Sequence, residues 1–264
     1  MSPSDPLVVV DAEDGIATLT LNRPDDGNAL SLAMVEHLSA SVSHVDADRS
    51  IRCVILTGAG RFFCVGGDIG AFKSAGSNVP ELLKNVTAHL HMAISRLARM
   101  GKPLVVAVNG PAAGAGLGLA ALGDIVIAAE PAHFSMAYTA IGLTPDGGTS
   151  ALLPRLIGLR KTQELALTNR RVKSQEAVEI GLISRVVDAN ELASEARATA
   201  ATLAMGAVCA FGTVRRLLLS GYEQPFEAQL ELEARAIAQA AAGPEGKEGI
   251  AAFLEKRRPS FLPV

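Results

Sequence analysis

Two small-residue loops, each downstream of a short apolar run, constrain this chain most. Cys64-Val65-Gly66-Gly67-Asp68-Ile69 comes after Cys53-Val54-Ile55-Leu56, and Asn109-Gly110-Pro111-Ala112-Ala113-Gly114-Ala115-Gly116 directly follows Leu104-Val105-Val106-Ala107-Val108. Short runs rich in β-branched residues read as buried strands, and glycine after a strand lets bare backbone N–H groups come close to a ligand. Neither loop fits the Gly-x-Gly-x-x-Gly or Walker phosphate fingerprints, and either one alone reads as a turn. As a pair they can present two N–H donors to one oxygen, an oxyanion pocket.

The elements around these loops alternate. Val8-Val9-Val10 and Ile16 to Leu21 read as a hairpin with Gly15 supplying the turn. Ser31 can cap a helix whose apolar face is Leu32, Val35, Leu38, Val42 and Val45. Leu82, Val86, Leu90, Ile94 and Leu97 mark a second amphipathic helix ending at Gly101, and Pro103 opens the next strand. The alternation persists to about Val187, which predicts parallel strands joined by crossovers. Beyond it, Glu191 to Met205, Phe211 to Ser220, Phe226 to Ala242 and Glu245 to Lys256 all read as helices. Their Ala-rich, weakly polar faces would leave apolar surface open on a single chain, so we expect a subunit interface there.

Composition excludes several classes. With 264 residues, 49% of them hydrophobic, the chain can bury one large core or a core plus a small appendage. A net charge of −3 and the absence of Trp leave neither an electrostatic footprint nor a stacking platform for nucleic acid. Cys53, Cys64 and Cys209 are odd in number and lack C-x-x-C spacing, against a disulfide framework or structural zinc. Met1 to Pro6 shows no signal-peptide pattern, and the apolar stretch Leu117 to Ala129, broken by Gly123-Asp124, is too short for a bilayer. We expect a cytoplasmic protein.

Asn22-Arg23-Pro24 with Asn28-Ala29-Leu30, the two glycine loops, Gly123-Asp124-Ile125, Gly142 to Gly148, Leu153-Pro154-Arg155, Gly181-Leu182-Ile183 and Phe253 to Arg257 follow one another along nearly the whole chain. In that order they resemble the successive motifs of the crotonase (enoyl-CoA hydratase/isomerase) superfamily. The wording from Val126 to Arg155 is closest to the 1,2-epoxyphenylacetyl-CoA isomerase type. The resemblance implies an α/β fold, a crotonase-like spiral of ββα repeats with a C-terminal helical trimerisation region. It implies a spiral core over 1–190, an oligomerisation region over 191–264, and a homotrimer or dimer of trimers. The partner it implies is an acyl-CoA thioester. No metal, nicotinamide or flavin is implied, and CoA enters as part of the substrate.

Carried over residue by residue, the resemblance makes the backbone N–H groups of Gly67 and Ala115 the oxyanion donors. Arg23, Ala29, Cys64, Gly66, Asp68, Ile69 and Gly114 take positions in the substrate and CoA groove. Lys256 and Phe261 resemble positions that reach CoA phosphates, sometimes in a neighbouring subunit; Lys256-Arg257-Arg258 reads equally as a solvated helix end. Family hydratases use two glutamates to position and deprotonate water, and at those positions this chain has Gly118 and Tyr138. Neither is a carboxylate base, so the syn-hydration machinery is missing. Asp146, in Leu143-Thr144-Pro145-Asp146-Gly147-Gly148, sits where isomerases of the superfamily carry their carboxylate. Pro-Asp-Gly-Gly also reads as a type I turn, with Asp146 as the N-cap of a helix from Thr149 to Ile157.

Isomerisation through an enolate with Asp146 as acid and base is therefore the preferred reading. The alternatives are a hydratase-like lyase, a 4-chlorobenzoyl-CoA dehalogenase-like hydrolase with Asp146 as nucleophile, and a non-catalytic acyl-CoA-binding paralogue. Such a dehalogenase needs a His on the helix before the second strand, and counting back from Pro103 that slot holds Ser95. His89 and His91, two apart on a helix, make a poor metal pair; one of them could enter the acyl pocket, and a surface or core role is preferred. His133 reads as structural and Cys64 as a packing residue; Tyr138 could donate a hydrogen bond to the substrate, and the preferred role is filling space beside the acyl group.

Overall fold

The computed structural model describes residues 6–262. Residues 1–5, on which part of the localisation expectation rests, lie outside the described residues. β1 (Val8–Glu13) and β2 (Ile16–Leu21) pair antiparallel across Asp14-Gly15, both at positive φ (53° and 75°), the geometry of a two-residue primed turn. β2 then pairs parallel with β3 (Cys53–Gly58), β3 with β4 (Leu104–Val108), β4 with β6 (Ile125–Ala129) and β6 with β9 (Arg185–Val187). The sheet order is β1-β2-β3-β4-β6-β9.

A second, small sheet is built from β5 (Ala112–Ala113), β7 (His133–Ser135) and β8 (Val172–Lys173). The chain gives one strand to the large sheet, a short strand to the small one, then a helix: β4, β5, α4 (Ala115–Ala121), and again β6, β7, α5 (Thr149–Ile157). That recurrence is the expected ββα spiral. A bridge between Cys64 and Ala112 ties the first glycine loop to the second sheet.

Strand alternation sorts the core. Val54, Leu56, Leu104, Val106 and Val108 face α1 (Leu32–Ala47), α3 (Val79–Arg99) and α4 in the main cluster. Cys53, Ile55, Val105 and Ala107 face the other way, onto Leu192, Ala196, Ala200 and Ala204 of α8 (Leu192–Ala204). Residues four apart share one helix face, and the three alanines let α8 lie flat on the sheet. The first helix beyond residue 190 therefore covers the spiral core. α9 (Val208–Ser220), α10 (Phe226–Ala242) and α11 (Pro244–Leu254) are the helices that leave apolar side chains open, among them Leu218, Phe226, Ile237 and Phe253.

Both sequence-legible helices form as their patterns predict. Ser31 accepts from Met34 N–H at 3.2 Å and caps α1, and α3 buries Val86, Leu90, Ile94 and Leu97. α3 ends against a residue the sequence did not single out. Arg215 of α9 donates to the carbonyls of Leu97, Met100 and Lys102 and pairs with Asp124 at 2.7 Å, while Asp124 also accepts from Leu104 N–H. A guanidinium at a helix C-terminus satisfies orphan carbonyls, so the Gly123-Asp124 motif is an anchor for α9. No single helix among the described residues is long and apolar enough to cross a membrane.

Candidate active site

Two asparagines pin the glycine loops. Asn28, fully buried at positive φ (56°), donates through Nδ2 to the carbonyls of Ala59, Phe62 and Phe63 and accepts from Arg23 N–H. Asn109 donates to the carbonyls of Gly60 and Phe62 and accepts from Gly58 N–H. The loops then run side by side: Ala113 N–H donates to Cys64 O at 2.9 Å. A Cβ on Gly116 would lie 2.2 Å from that same oxygen, and one on Gly66 would lie 3.5 Å from Ala115 N. Glycine is required at 116 because backbone meets backbone there.

The result is a cleft of about 350 Å³. Gly66, Gly67, Ile69, Gly114, Ala115, Tyr138 and Asp146 all line it, with Leu30, Phe72, Leu83, Val86, Leu90, Ile141 and Leu143 forming its apolar walls. Among the described residues, neither Gly67 N–H nor Ala115 N–H donates to any group of the chain. Ala115 is 4% exposed. Gly67 is half-buried, and since N–H groups shielded from water are rarely left without a partner, two unpartnered donors on one cleft form a site for an acceptor oxygen.

Arg23, Ala29, Cys64 and Asp68 do not line the cleft. Arg23 donates to Ala29 O at 3.0 Å and pairs with Asp68 at 2.9 Å, and Asp68 accepts from Ala71 N–H to cap α2 (Ile69–Ala75). Burial pushes the Asp68 carboxyl up, but the Ala71 N–H and the Arg23 guanidinium outweigh it and hold it below its ordinary value. This cluster fixes the backbone that carries Gly67. Cys64 is fully buried, and burial pushes its thiol up to about 12, which agrees with packing rather than nucleophilic use. Lys256 and Phe261 follow the end of α11 and do not line the cleft; Phe261 packs back against Gly249 of that helix.

Asp146 is not a helix cap. Its backbone carbonyl accepts from the N–H and hydroxyl of Thr149, Gly148 takes the N-cap position, and Gly147 and Gly148 both lie at positive φ (58° and 78°). The turn is of the primed kind, not type I, and the carboxylate is left free for other use. Tyr138 takes part of it. Its hydroxyl donates to Asp146 Oδ1 at 2.7 Å, so it holds the carboxylate and is not filler as the sequence suggested. Asp146 Oδ2 accepts from no group of the chain among the described residues and is not buried.

Burial, then the Asp146 carboxylate, push the Tyr138 phenol well above its ordinary value of 10.0. A raised value favours the neutral form in the fold, a stabilisation fully present below pH 10 and lost as pH rises through the folded value. Tyr138 and Tyr222 are the chain's two tyrosines and it has no Trp, so phenolate absorbance reads them directly. One ionisation is expected only far into alkali, and Tyr138→Phe should abolish that late step. Two ionisations both complete near pH 10 would contradict the bond.

Position 118 explains the missing glutamate. A Cβ on Gly118 would lie 2.4 Å from Gly147 O, so the turn carrying Asp146 occupies the space such a side chain would need. The histidine assignment also changes. Among the described residues Ser95 makes no hydrogen bond to this turn, whereas His91, one helical turn earlier on the same face of α3, accepts from Gly147 N–H through Nε2 at 3.3 Å. The objection that the helix lacks a His at the Asp146 loop therefore falls: His91 is exposed, as expected of a surface residue, and it also bonds the turn.

The Enoyl-CoA hydratase/isomerase family model matches residues 11–262. The chain is 39% identical to the 1,2-epoxyphenylacetyl-CoA isomerase of Escherichia coli (strain K12), over 97% of this chain and 98% of that protein. It is 31% identical to 4-chlorobenzoyl coenzyme A dehalogenase-2 of an Arthrobacter species, over 100% and 96%. The crystal structure of an enoyl-CoA hydratase from Polaromonas sp. JS666 superposes with a TM-score of 0.91 at 32% identity, covering 96% of this chain and 98% of that one.

Proposed function

The chain belongs to the enoyl-CoA hydratase/isomerase family, and on that premise we propose that it isomerises an acyl-CoA thioester through an oxyanion-stabilised enolate, with Asp146 carrying the proton. The observation that supports this reading is the pair of unpartnered N–H groups at Gly67 and Ala115 on the same cleft as one free carboxylate oxygen. The thioester oxygen accepts from both N–H groups and gains charge as the α-proton leaves, and each such donor is worth about 3 kcal/mol. Asp146 takes that proton and returns it to a different carbon. Tyr138 keeps the carboxylate aimed by holding Oδ1, leaving Oδ2 to work.

Arg23, Ala29, Cys64, Asp68 and Ile69 serve the CoA groove in this reading, the first four by shaping the backbone around Gly67. Lys256 and Phe261 would reach CoA from a neighbouring subunit of a trimer or dimer of trimers formed through the open faces of α9–α11. The region over 191–264 would then combine α8, which closes the core, with the helices that assemble.

A second reading has one observation behind it. With His91 at the Asp146 turn, Asp146 could attack a halogenated aryl carbon and His91 could deprotonate the water that hydrolyses the resulting ester. A panel of thioesters in heavy water separates the two. Incubation with saturated, 3-enoyl, arylacetyl and 4-chlorobenzoyl thioesters, followed by mass spectrometry, is expected to give deuterium uptake or double-bond migration in an enolisable acyl group. Halide release from the chlorobenzoyl thioester with no exchange in the others would replace the isomerase reading by the hydrolase.

A further inference from the structure

Behind the Asp146 turn lies a second cavity, about 470 Å³, between α3, α5 and the end of α9. Pro145 and Asp146 line both it and the acyl cleft, and no other residue does. The two spaces differ in chemistry. The cleft holds no ionisable side chain besides Asp146 and Tyr138, whereas the rear cavity, equally apolar over most of its surface, carries His91, Arg99, Arg155 and Glu223. An acyl group seated in the front cleft expels its water, while a groove open to solvent and lined in part by charged side chains retains water.

The geometry points to the rear cavity as the route by which Asp146 exchanges its proton with solvent during turnover, an inference that rests on the acid/base reading of Asp146. Oδ1 is held by Tyr138 and Oδ2 is unpartnered and not buried. His91, an exposed residue that also lines the cavity, accepts from Gly147 N–H and ties the turn to α3 beside it. The proton taken from one carbon passes to the carboxylate, exchanges with water behind it, and a water-derived proton returns to the other carbon. Each transfer moves one proton, and the completed cycle leaves the carboxylate as it began.

The test narrows the cavity without touching the cleft. Ala98 on α3 and Ala151 on α5 line only the rear space. A substrate deuterated at the carbon that loses its proton is turned over in ordinary water, and mass spectrometry reads the share of product that keeps the label. Wild type and Ala151→Ser, which leaves the groove open, are expected to wash out most of it. Ala151→Phe and Ala98→Leu should keep several-fold more label while still isomerising. Equal retention in all four proteins, or complete retention by wild type, overturns the rear route while leaving the isomerase reading intact. Absence of any isomerisation or exchange by wild type removes that reading and the route with it.

Discussion

Asp146→Asn is expected to lower the kcat of isomerisation by roughly 10²–10⁴-fold, the range for removing a positioned acid/base. Substrate binding should change little, because the oxyanion donors are backbone groups of Gly67 and Ala115 and the cleft walls are untouched. The substitution is close to isosteric, and an amide oxygen can still accept from the Tyr138 hydroxyl, now at 2.7 Å from Oδ1. Folding stability is therefore expected to hold, as thermal unfolding of the two proteins side by side would show. A loss in kcat with KM and Tm preserved assigns the proton transfer to this carboxylate. An unchanged rate in the Asn variant would instead remove Asp146 from the proton transfer.

What could be read from the sequence was local, and what could not was contact between distant segments. The hairpin, the Ser31 cap and the buried face of α3 are set by neighbours a few residues apart, so their patterns were sufficient. The two glycine loops were legible as loops, but their alignment depends on Asn28 and Asn109, whose side chains bridge segments about thirty to fifty residues away. Asp146 was visible as a candidate, while its use was not. A turn with two left-handed glycines moves the helix start to Thr149 and frees the carboxylate from capping, a geometry that Pro-Asp-Gly-Gly alone does not select over a type I turn. The Ser95 count did not lead to His91, one helical turn earlier, because linear distance from Pro103 does not say where a loop from residue 147 crosses α3. Arg215 gave no sequence signal beyond a basic residue on a helix, yet it ties α9 to the sheet through Asp124.

Restoring a glutamate at position 118 is expected to disrupt the protein, not to make it a hydratase. Gly118 lies in the middle of α4, every residue of which is buried, and any Cβ there meets Gly147 O at 2.4 Å and Thr149 Cγ2 at 3.2 Å. Helix propensity alone would favour Gly118→Ala by about 1 kcal/mol, but the clash is with backbone, which cannot rotate aside. Overpacking of this kind costs roughly 1–3 kcal/mol, and the turn must shift to relieve it. Since Asp146 and Gly147 move together, a displacement of about 1 Å would cost on the order of 10²-fold in rate. Gly118→Ala should therefore lower Tm modestly and kcat severely, and Gly118→Glu should lower both further by adding a carboxylate to an apolar core. Neither is expected to hydrate an enoyl-CoA, because the other position of the glutamate pair is Tyr138, already bonded to Asp146. Thermal unfolding together with isomerase and hydratase assays on both variants decides the point. A stable Gly118→Glu protein that adds water would mean that the Asp146 turn yields readily to a second carboxylate, and that the choice between isomerisation and hydration is not set by the contact of Gly118 with Gly147.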